Sequence, residues 1–173
     1  CWSHEEYLAA VLGRQVASRI ANGTKMRLSA ARFPQIKTLE DFTFAHLPTA
    51  PRDVIAHLAT TTFVARKENV VLLGPPGTGK THLACAAGAF FGMIYGPQSL
   101  IYSNAADIVR MVRSSFDDDN LTEKQAFERF TKPGLLIMDE VGVGKDSDFS
   151  RETLHTVISK RYDKKLPTIF ITN

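Results

Sequence analysis

Eight consecutive residues constrain the fold of this chain more than any other segment: Gly74-Pro75-Pro76-Gly77-Thr78-Gly79-Lys80-Thr81. They match the pattern G-x-x-x-x-G-K-[ST], in which glycines let successive backbone N–H groups converge on an anion. Such a loop follows a strand and opens a helix, because the helix N-terminus adds its positive dipole end to the same site. The motif therefore predicts a strand–loop–helix unit and a site for the phosphates of a nucleotide.

The segments on either side of the loop have the required character. The apolar, β-branched run 69–73 is typical of a buried strand. After the loop, apolar residues at helical spacing predict a helix that ends at Gly92. We therefore expect the loop and the adjoining His82 to bind ATP. In this site Lys80 would reach the β- and γ-phosphates and the Thr81 hydroxyl would hold Mg²⁺.

A second motif, Leu135-Leu136-Ile137-Met138-Asp139-Glu140, supplies carboxylates for the same site. Its four apolar residues predict a buried strand, and the carboxyl ends of parallel strands face one crevice. Asp139 is then the expected Mg²⁺ partner, through water, and Glu140 is placed to activate water as a general base. The alternative is a strand that ends in a solvated acidic turn. For this segment alone that alternative would be favoured, but together with the phosphate-binding loop the Mg²⁺ site is favoured.

A third apolar strand, predicted within 165–173, ends in polar residues. Its last residue, Asn173, is a candidate to hold the attacking water or the γ-phosphate. A simple strand-ending asparagine explains the residue equally well.

Three motifs thus follow one another along the chain: GPPGTGKT, LLIMDE and TIFITN. Together they resemble the core of an AAA+ ATPase. The flanking sequence resembles, more narrowly, the IstB/DnaC family of transposition helpers and helicase loaders. This narrower resemblance lies in segments 31–34, 37–42, 68–84, 139–144 and 160–168.

The resemblance implies roles for individual residues. It gives Asn173 the sensor-1 role and Glu140 the role of catalytic glutamate, and it places Phe42 and Phe44 near the adenine. The implied fold class is α/β, a P-loop NTPase with an AAA+ type parallel sheet in three αβα layers, whose complete strand order is 5-1-4-3-2.

Family members continue beyond the sensor strand with a fifth strand and a helix that carries an arginine finger. We therefore expect this chain to be a piece of a longer protein, with strand 1 at a sheet edge and weak ATPase activity alone. Arg151 and Arg161 fall on a predicted helix over 149–164 and are expected to be surface or ion-pair residues. The expected core positions of that helix are Leu154, Val157, Ile158 and Tyr162.

Charge divides the chain into two expected domains. Residues 1–37, a basic helical appendage and linker, hold six basic and two acidic side chains, giving +4. Residues 38–173, the ATP-binding core, incomplete at its C-terminus, hold fifteen basic and sixteen acidic side chains, giving −1. Charge alone favours a solvated helix face for the appendage, and the resemblance adds nucleic acid or a partner protein as an equal alternative.

Further elements are predicted by local patterns. A helix is expected over 4–22, another from Pro51 through Phe63, and a third after Asn104 as its N-cap. Residues 122–131 predict a short helix. The acidic run 117–120 lacks the spacing of a calcium loop and is expected to be solvated.

Composition indicates the cellular compartment of the protein. Two cysteines do not make a disulfide framework, and no apolar run approaches the roughly 20 residues that span a bilayer. We therefore expect a cytoplasmic protein that is not inserted in a membrane.

The leading hypothesis is an ATP-hydrolysing AAA+ protein that assists DNA replication through helicase loading, or DNA transposition. Its expected partners are single-stranded or duplex DNA, a replicative helicase or a transposase, and further copies of itself in the full-length protein. The alternative is a nucleotide-gated DNA- or protein-binding module with little turnover. A small-molecule kinase is a third reading, but the chain lacks the arginine-rich lid that would clamp phosphate in such an enzyme.

Overall fold

The computed structural model describes residues 52–144 and 147–173, together with Ser3, Phe33, Lys37, Leu39, Asp41 and Phe42. The helix predicted over 4–22 and the residue Phe44 lie outside this part of the chain. The proposed division at residues 37 and 38 stays a prediction.

Among the described residues, four parallel strands form one sheet: β1 (Val70–Leu73), β2 (Leu100–Asn104), β3 (Leu135–Val141) and β4 (Thr168–Thr172). Their spatial order is β1-β4-β3-β2, and every neighbouring pair is parallel. This order confirms the predicted arrangement of strands 1 to 4. Because the strands are parallel, their carboxyl ends meet at one edge of the sheet.

Within the described part of the chain, six α-helices connect and cover the strands. They are α1 (Arg52–Ala59), α2 (Thr62–Ala65), α3 (Lys80–Tyr95), α4 (Ala105–Ser114), α5 (Glu123–Thr131) and α6 (Asp148–Asp163). One apolar cluster joins α1, α2 and α3 to one face of the sheet, and a second joins α4, α5 and α6 to the other. The predicted three-layer αβα architecture is therefore confirmed.

The central strand β3 explains why both layers are stable. Leu136 and Met138 belong to the cluster under α4–α6, whereas Leu135 and Ile137 belong to the cluster under α1–α3. All four side chains are fully buried. A strand buried on both faces has the continuous apolar sequence that the LLIM run displays.

Two predicted helices have different bounds in the structure. The helix expected from Pro51 to Phe63 is broken, because Thr61 adopts a left-handed backbone with φ of 52°. The helix after the phosphate-binding loop continues past Gly92 to Tyr95 and is terminated at Gly96, with φ of 89°. Gly92 itself packs near Leu100 and keeps helical geometry, so this glycine does not act as a stop.

The expected core face of α6 was partly wrong. Val157 is buried as predicted, but Ile158 is partly exposed and Tyr162 is 72% exposed. The buried residues are instead Thr153, Val157 and Arg161, at intervals of four.

Predicted helix starts are confirmed by their caps. The Asn104 side chain accepts a hydrogen bond from the Asp107 N–H at 3.0 Å. Thr122 and Gln125 form a reciprocal capping box at the start of α5. Within the described ranges, no helix has both the length and the apolar character needed to cross a membrane.

Candidate nucleotide-binding site

The predicted phosphate-binding loop connects the end of β1 to the start of α3. Gly77 and Gly79 have φ of 82° and 84°, in the left-handed region that favours glycine. A Cβ on Gly77 would meet no atom within 4 Å, so backbone conformation alone requires glycine there. Because Gly79 is the N-cap of α3, the N–H groups of the first helical turn, which have no acceptor within the helix, open onto this loop. Such an arrangement binds anions.

Lys80 joins the loop to the end of β4. Its ammonium donates hydrogen bonds to the carbonyl oxygens of Gly74 and Pro75, the latter at 2.8 Å, and to Asn173 Oδ1 at 3.0 Å. The Thr78 hydroxyl braces the loop from within by donating to the Pro75 carbonyl at 2.9 Å. The predicted phosphate-binding lysine and the predicted sensor asparagine are therefore in direct contact.

The Asp139 carboxylate lies beneath this loop and is only 7% exposed. Thr81 Oγ1 donates to Asp139 Oδ2 at 3.1 Å, and the Glu140 N–H donates to Asp139 Oδ1 at 2.7 Å. Tyr102 Oη donates to the same Oδ2 at 2.6 Å. Burial, followed by this hydrogen bond and the charge of Asp139, raises the pKa of Tyr102 far above its usual value, which keeps the phenol a donor.

Glu140 occupies a bulge at the end of β3. Met138 pairs with Phe170 and Val141 with Thr172, so β3 contains one more residue than β4 between these pairs. Glu140 has φ of 56°, an uncommon conformation for a residue with a side chain, and it is exposed. The Thr172 hydroxyl donates to the Val141 carbonyl at 2.6 Å and closes the bulge. Bulges of this kind redirect a side chain beside a functional site.

An aromatic pair lies at the helix end of the loop. The rings of Phe42 and His82 meet edge to face, with centroids 5.4 Å apart. A Cβ on Gly79 would lie 2.7 Å from Phe42 Cε2, so this glycine also makes room for the ring. Phe42 thus lies beside the loop, and its expected proximity to adenine stays a prediction.

The structure joins four predicted site residues in two hydrogen-bonded pairs beside the loop: Lys80 with Asn173, and Thr81 with Asp139. Sequence reasoning did not identify Tyr102 as a site residue. The available signal was a phenol two residues before the end of β2, at the edge where the other strands end.

The donor set fits a nucleoside triphosphate with Mg²⁺. The Lys80 ammonium and the amides of the first turn of α3 are donors for phosphate, whereas Thr81 and Asp139 offer oxygen ligands. Among the described residues, no group of three or more His, Cys, Asp or Glu side chains could hold a metal. Mg²⁺ is usually held by one or two carboxylates together with phosphate oxygens and water.

Comparisons with known proteins agree with this geometry. The family model of the IstB-like ATP-binding protein matches residues 1–173. A relative from insertion sequence IS5376 of Geobacillus stearothermophilus, named for ATP binding, is 33% identical over 99% of this chain and 66% of its own length. The replicative helicase loader DnaC of Escherichia coli K12 is 29% identical over 60% of this chain and 41% of its own.

A solved structure shares the fold. The replication initiator DnaA bound to AMPPCP and single-stranded DNA superposes with a TM-score of 0.66 at 18% identity, over 82% of this chain and 43% of that one. The fold is therefore that of the AAA+ P-loop domains. The chain spans less than two thirds of the length of these relatives. With the family model matched from end to end, the chain belongs to the family of IstB-like ATP-binding proteins.

Proposed function

We propose that this chain is the ATP-hydrolysing core of an AAA+ protein that assists transposition or the loading of a replicative helicase. The observation that carries the proposal is the contact of Lys80 with Asn173 beside that of Thr81 with Asp139. These contacts join three motifs, separated by 58 and 93 residues, around one phosphate-binding loop.

Each side chain has a distinct task. Lys80 exchanges the Gly74 and Pro75 carbonyls for phosphate oxygens and so binds the triphosphate. Thr81 and Asp139 would hold Mg²⁺, and the ion would supply positive charge to neutralise the phosphates. Asn173 orients the γ-phosphate or the attacking water, and Glu140 accepts a proton from that water.

The wider biological role rests on the relatives. One of them is named for an insertion sequence and another for loading a replicative helicase, and both are longer than this chain. DnaA, which shares the fold, binds single-stranded DNA. We propose DNA, further copies of the full-length protein, and either a transposase or a replicative helicase as partners, in the cytoplasm.

The decisive experiment uses the full-length protein that contains this chain. ATP hydrolysis is measured against protein concentration, alone and with single-stranded or duplex DNA, for wild type, Lys80→Ala and Glu140→Gln. Lys124→Ala and Glu152→Gln, which alter exposed residues on α5 and α6, serve as matched controls.

Loss of the general base is expected to slow hydrolysis about 10²–10⁴-fold while ATP binding is retained. Lys80→Ala is expected to lose ATP binding, and the two controls to behave as wild type. Undiminished turnover in Glu140→Gln would refute the assigned base. Tight ATP binding by wild type without turnover would instead support a nucleotide-gated module that binds DNA or a partner protein.

A further inference from the structure

Tyr102 is a functional candidate that none of the three motifs contains. It lies on β2, the strand farthest from the phosphate-binding loop in the sheet. Its hydroxyl nevertheless donates to Asp139 Oδ2 at 2.6 Å, the shortest of the three hydrogen bonds described for this carboxylate. The buried carboxylate therefore accepts donors from β2, from α3 and from its own strand.

Strand register explains how the phenol reaches the site. Tyr102 is opposite Ile137 in the β2–β3 pair, and Asn104 is opposite Asp139. Side chains two residues apart in a strand share a face, so Tyr102 and Asp139 are diagonal neighbours on one face of the sheet. A strand spacing of about 4.8 Å and a two-residue rise of about 6.6 Å separate such neighbours by about 8 Å, a gap that an aromatic side chain can bridge.

Packing holds the phenol in place. The Tyr102 ring contacts Phe33, with centroids 5.9 Å apart, and both rings pack against the apolar cluster that includes Ile137. Phe33 fits there because Gly88 has no side chain, since a Cβ on Gly88 would lie 2.8 Å from Phe33 Cζ. A hydroxyl on a ring fixed in this way has a defined position relative to the carboxylate.

A fixed hydroxyl restricts the orientation of Asp139. The terminal torsion of aspartate is broad, so an isolated carboxylate rotates readily. With one oxygen bound by Tyr102 and Thr81 and the other by the Glu140 amide, both ends of the carboxylate are anchored. These three donors fix the carboxylate in an orientation that faces Thr81.

We propose that Tyr102 is a positioning residue for the divalent cation: it orients Asp139 so that this carboxylate and Thr81 together receive the Mg²⁺ that accompanies the nucleotide. The inference rests on the proposed nucleotide site. Tyr102 acts through Asp139, to which its hydroxyl donates. Its contribution should consequently appear in the metal dependence of nucleotide binding and not in metal-free binding.

The test is Tyr102→Phe in the full-length protein, since this change removes the hydroxyl and keeps the ring against Phe33. Tyr162→Phe removes a phenol exposed on α6 and is the matched control. Binding of a fluorescent ATP analogue is titrated first with excess EDTA and then at increasing Mg²⁺ concentration. Mn²⁺ binding, followed by electron paramagnetic resonance, gives a second readout that does not depend on turnover.

For Tyr102→Phe we expect the affinity for the ATP analogue, measured in excess EDTA, to match that of wild type. The Mg²⁺ concentration that gives half of the Mg²⁺-dependent increase in analogue binding should rise about 10-fold or more. This is the usual consequence of removing a residue that hydrogen-bonds to a metal ligand. Mn²⁺ affinity should fall in parallel, and Tyr162→Phe should match wild type in every titration. In an Asp139→Asn background the same substitution should add little, because its effect passes through that carboxylate.

An unchanged Mg²⁺ midpoint in Tyr102→Phe would overturn the inference, and so would an equal loss of affinity in EDTA, which indicates a purely structural role. Full additivity with Asp139→Asn would also overturn it. If wild type itself fails to bind the analogue, the proposed function is refuted and this inference with it. If wild type binds the analogue in a Mg²⁺-dependent way and Tyr102→Phe behaves identically, only the role proposed for Tyr102 is refuted.

Discussion

Arg161 provides the sharpest test of the packing. Its side chain is 1% exposed and donates to the carbonyls of Phe130, Pro133 and Pro167 at 2.9, 2.9 and 2.6 Å, and to the Thr168 hydroxyl at 2.9 Å. All of these acceptors are neutral, and no salt bridge to Arg161 occurs among the described residues. The expectation of a surface or ion-pair residue was therefore wrong, because Arg161 ties α6 to α5 and to the starts of two strands.

Arg161→Met removes all four hydrogen bonds. Each of the three carbonyls left without this donor lowers the free energy of unfolding by ~1–3 kcal/mol. Removal of the buried charge offsets part of this loss, because a buried charge is itself costly. We expect the unpaired carbonyls to outweigh that gain, with a net loss of about 3–5 kcal/mol in the free energy of unfolding. For a chain of this size the melting temperature should fall by about 6–20 °C.

Urea and thermal unfolding followed by circular dichroism, without nucleotide, measure the effect. Arg151→Met is the matched control, because Arg151 lies on the same helix, is exposed and pairs with Asp148, so its loss should cost no more than about 1 kcal/mol. Arg161→Lys, which keeps the charge without the planar fork, should fall between the two. Equal stability of Arg161→Met and Arg151→Met would refute the argument.

The pH dependence of this effect follows from the pKa of Arg161, which burial lowers to about 10. A lowered pKa on a basic group means that the folded protein releases the proton more readily than the unfolded chain. Deprotonation therefore adds stability only as the pH rises from 10 toward the ordinary value of 12.5. From about pH 6 to 8.5 both states are protonated, and the Arg161→Met difference should be constant.

Two further predictions concern α3. Gly88→Ala places a Cβ 2.6 Å from Ile137 Cδ1 and 2.8 Å from Phe33 Cζ, so chemical denaturation should show a loss of ~1–3 kcal/mol. Gly92→Ala meets its nearest atom at 3.5 Å and should stabilise by up to ~1 kcal/mol; equal effects at both glycines would contradict this reasoning. Burial, and secondarily Asp139, raises the pKa of the Cys85 thiol to about 12. In a variant that retains only this thiol, iodoacetamide at about pH 8 should label the protein only after it unfolds. Rapid labelling of the native state would instead show an accessible thiolate and contradict this prediction.

The sequence predicted those features that depend on local pattern. A phosphate-binding loop, a buried strand ending in Asp139 and Glu140, and an N-cap at Asn104 are each contained in a few neighbouring residues. The parallel order of four strands followed from the resemblance, and the structure agrees with it. Hydropathy also placed Val157 correctly on the buried face of α6.

The features that were missed depend on contacts between distant segments. Arg161 is buried because three carbonyls from other elements surround its guanidinium, and no helical pattern encodes their positions. Tyr102 reaches Asp139 only through the register of β2 against β3. The break at Thr61 requires a left-handed backbone in a residue with little intrinsic preference for one.

Strand order accounts for the assembly of the candidate site. Since β4 lies between β1 and β3, its end places Asn173 between the loop that follows β1 and the carboxylates at the end of β3. The same order puts β2 next to β3, which brings the Tyr102 hydroxyl within reach of Asp139. Regular alternation would point Asp139 and Glu140 to opposite faces, and the bulge with its positive φ at Glu140 changes that direction. Two adjacent carboxylates can thereby take separate tasks, the buried one held by three donors and the exposed one open to water.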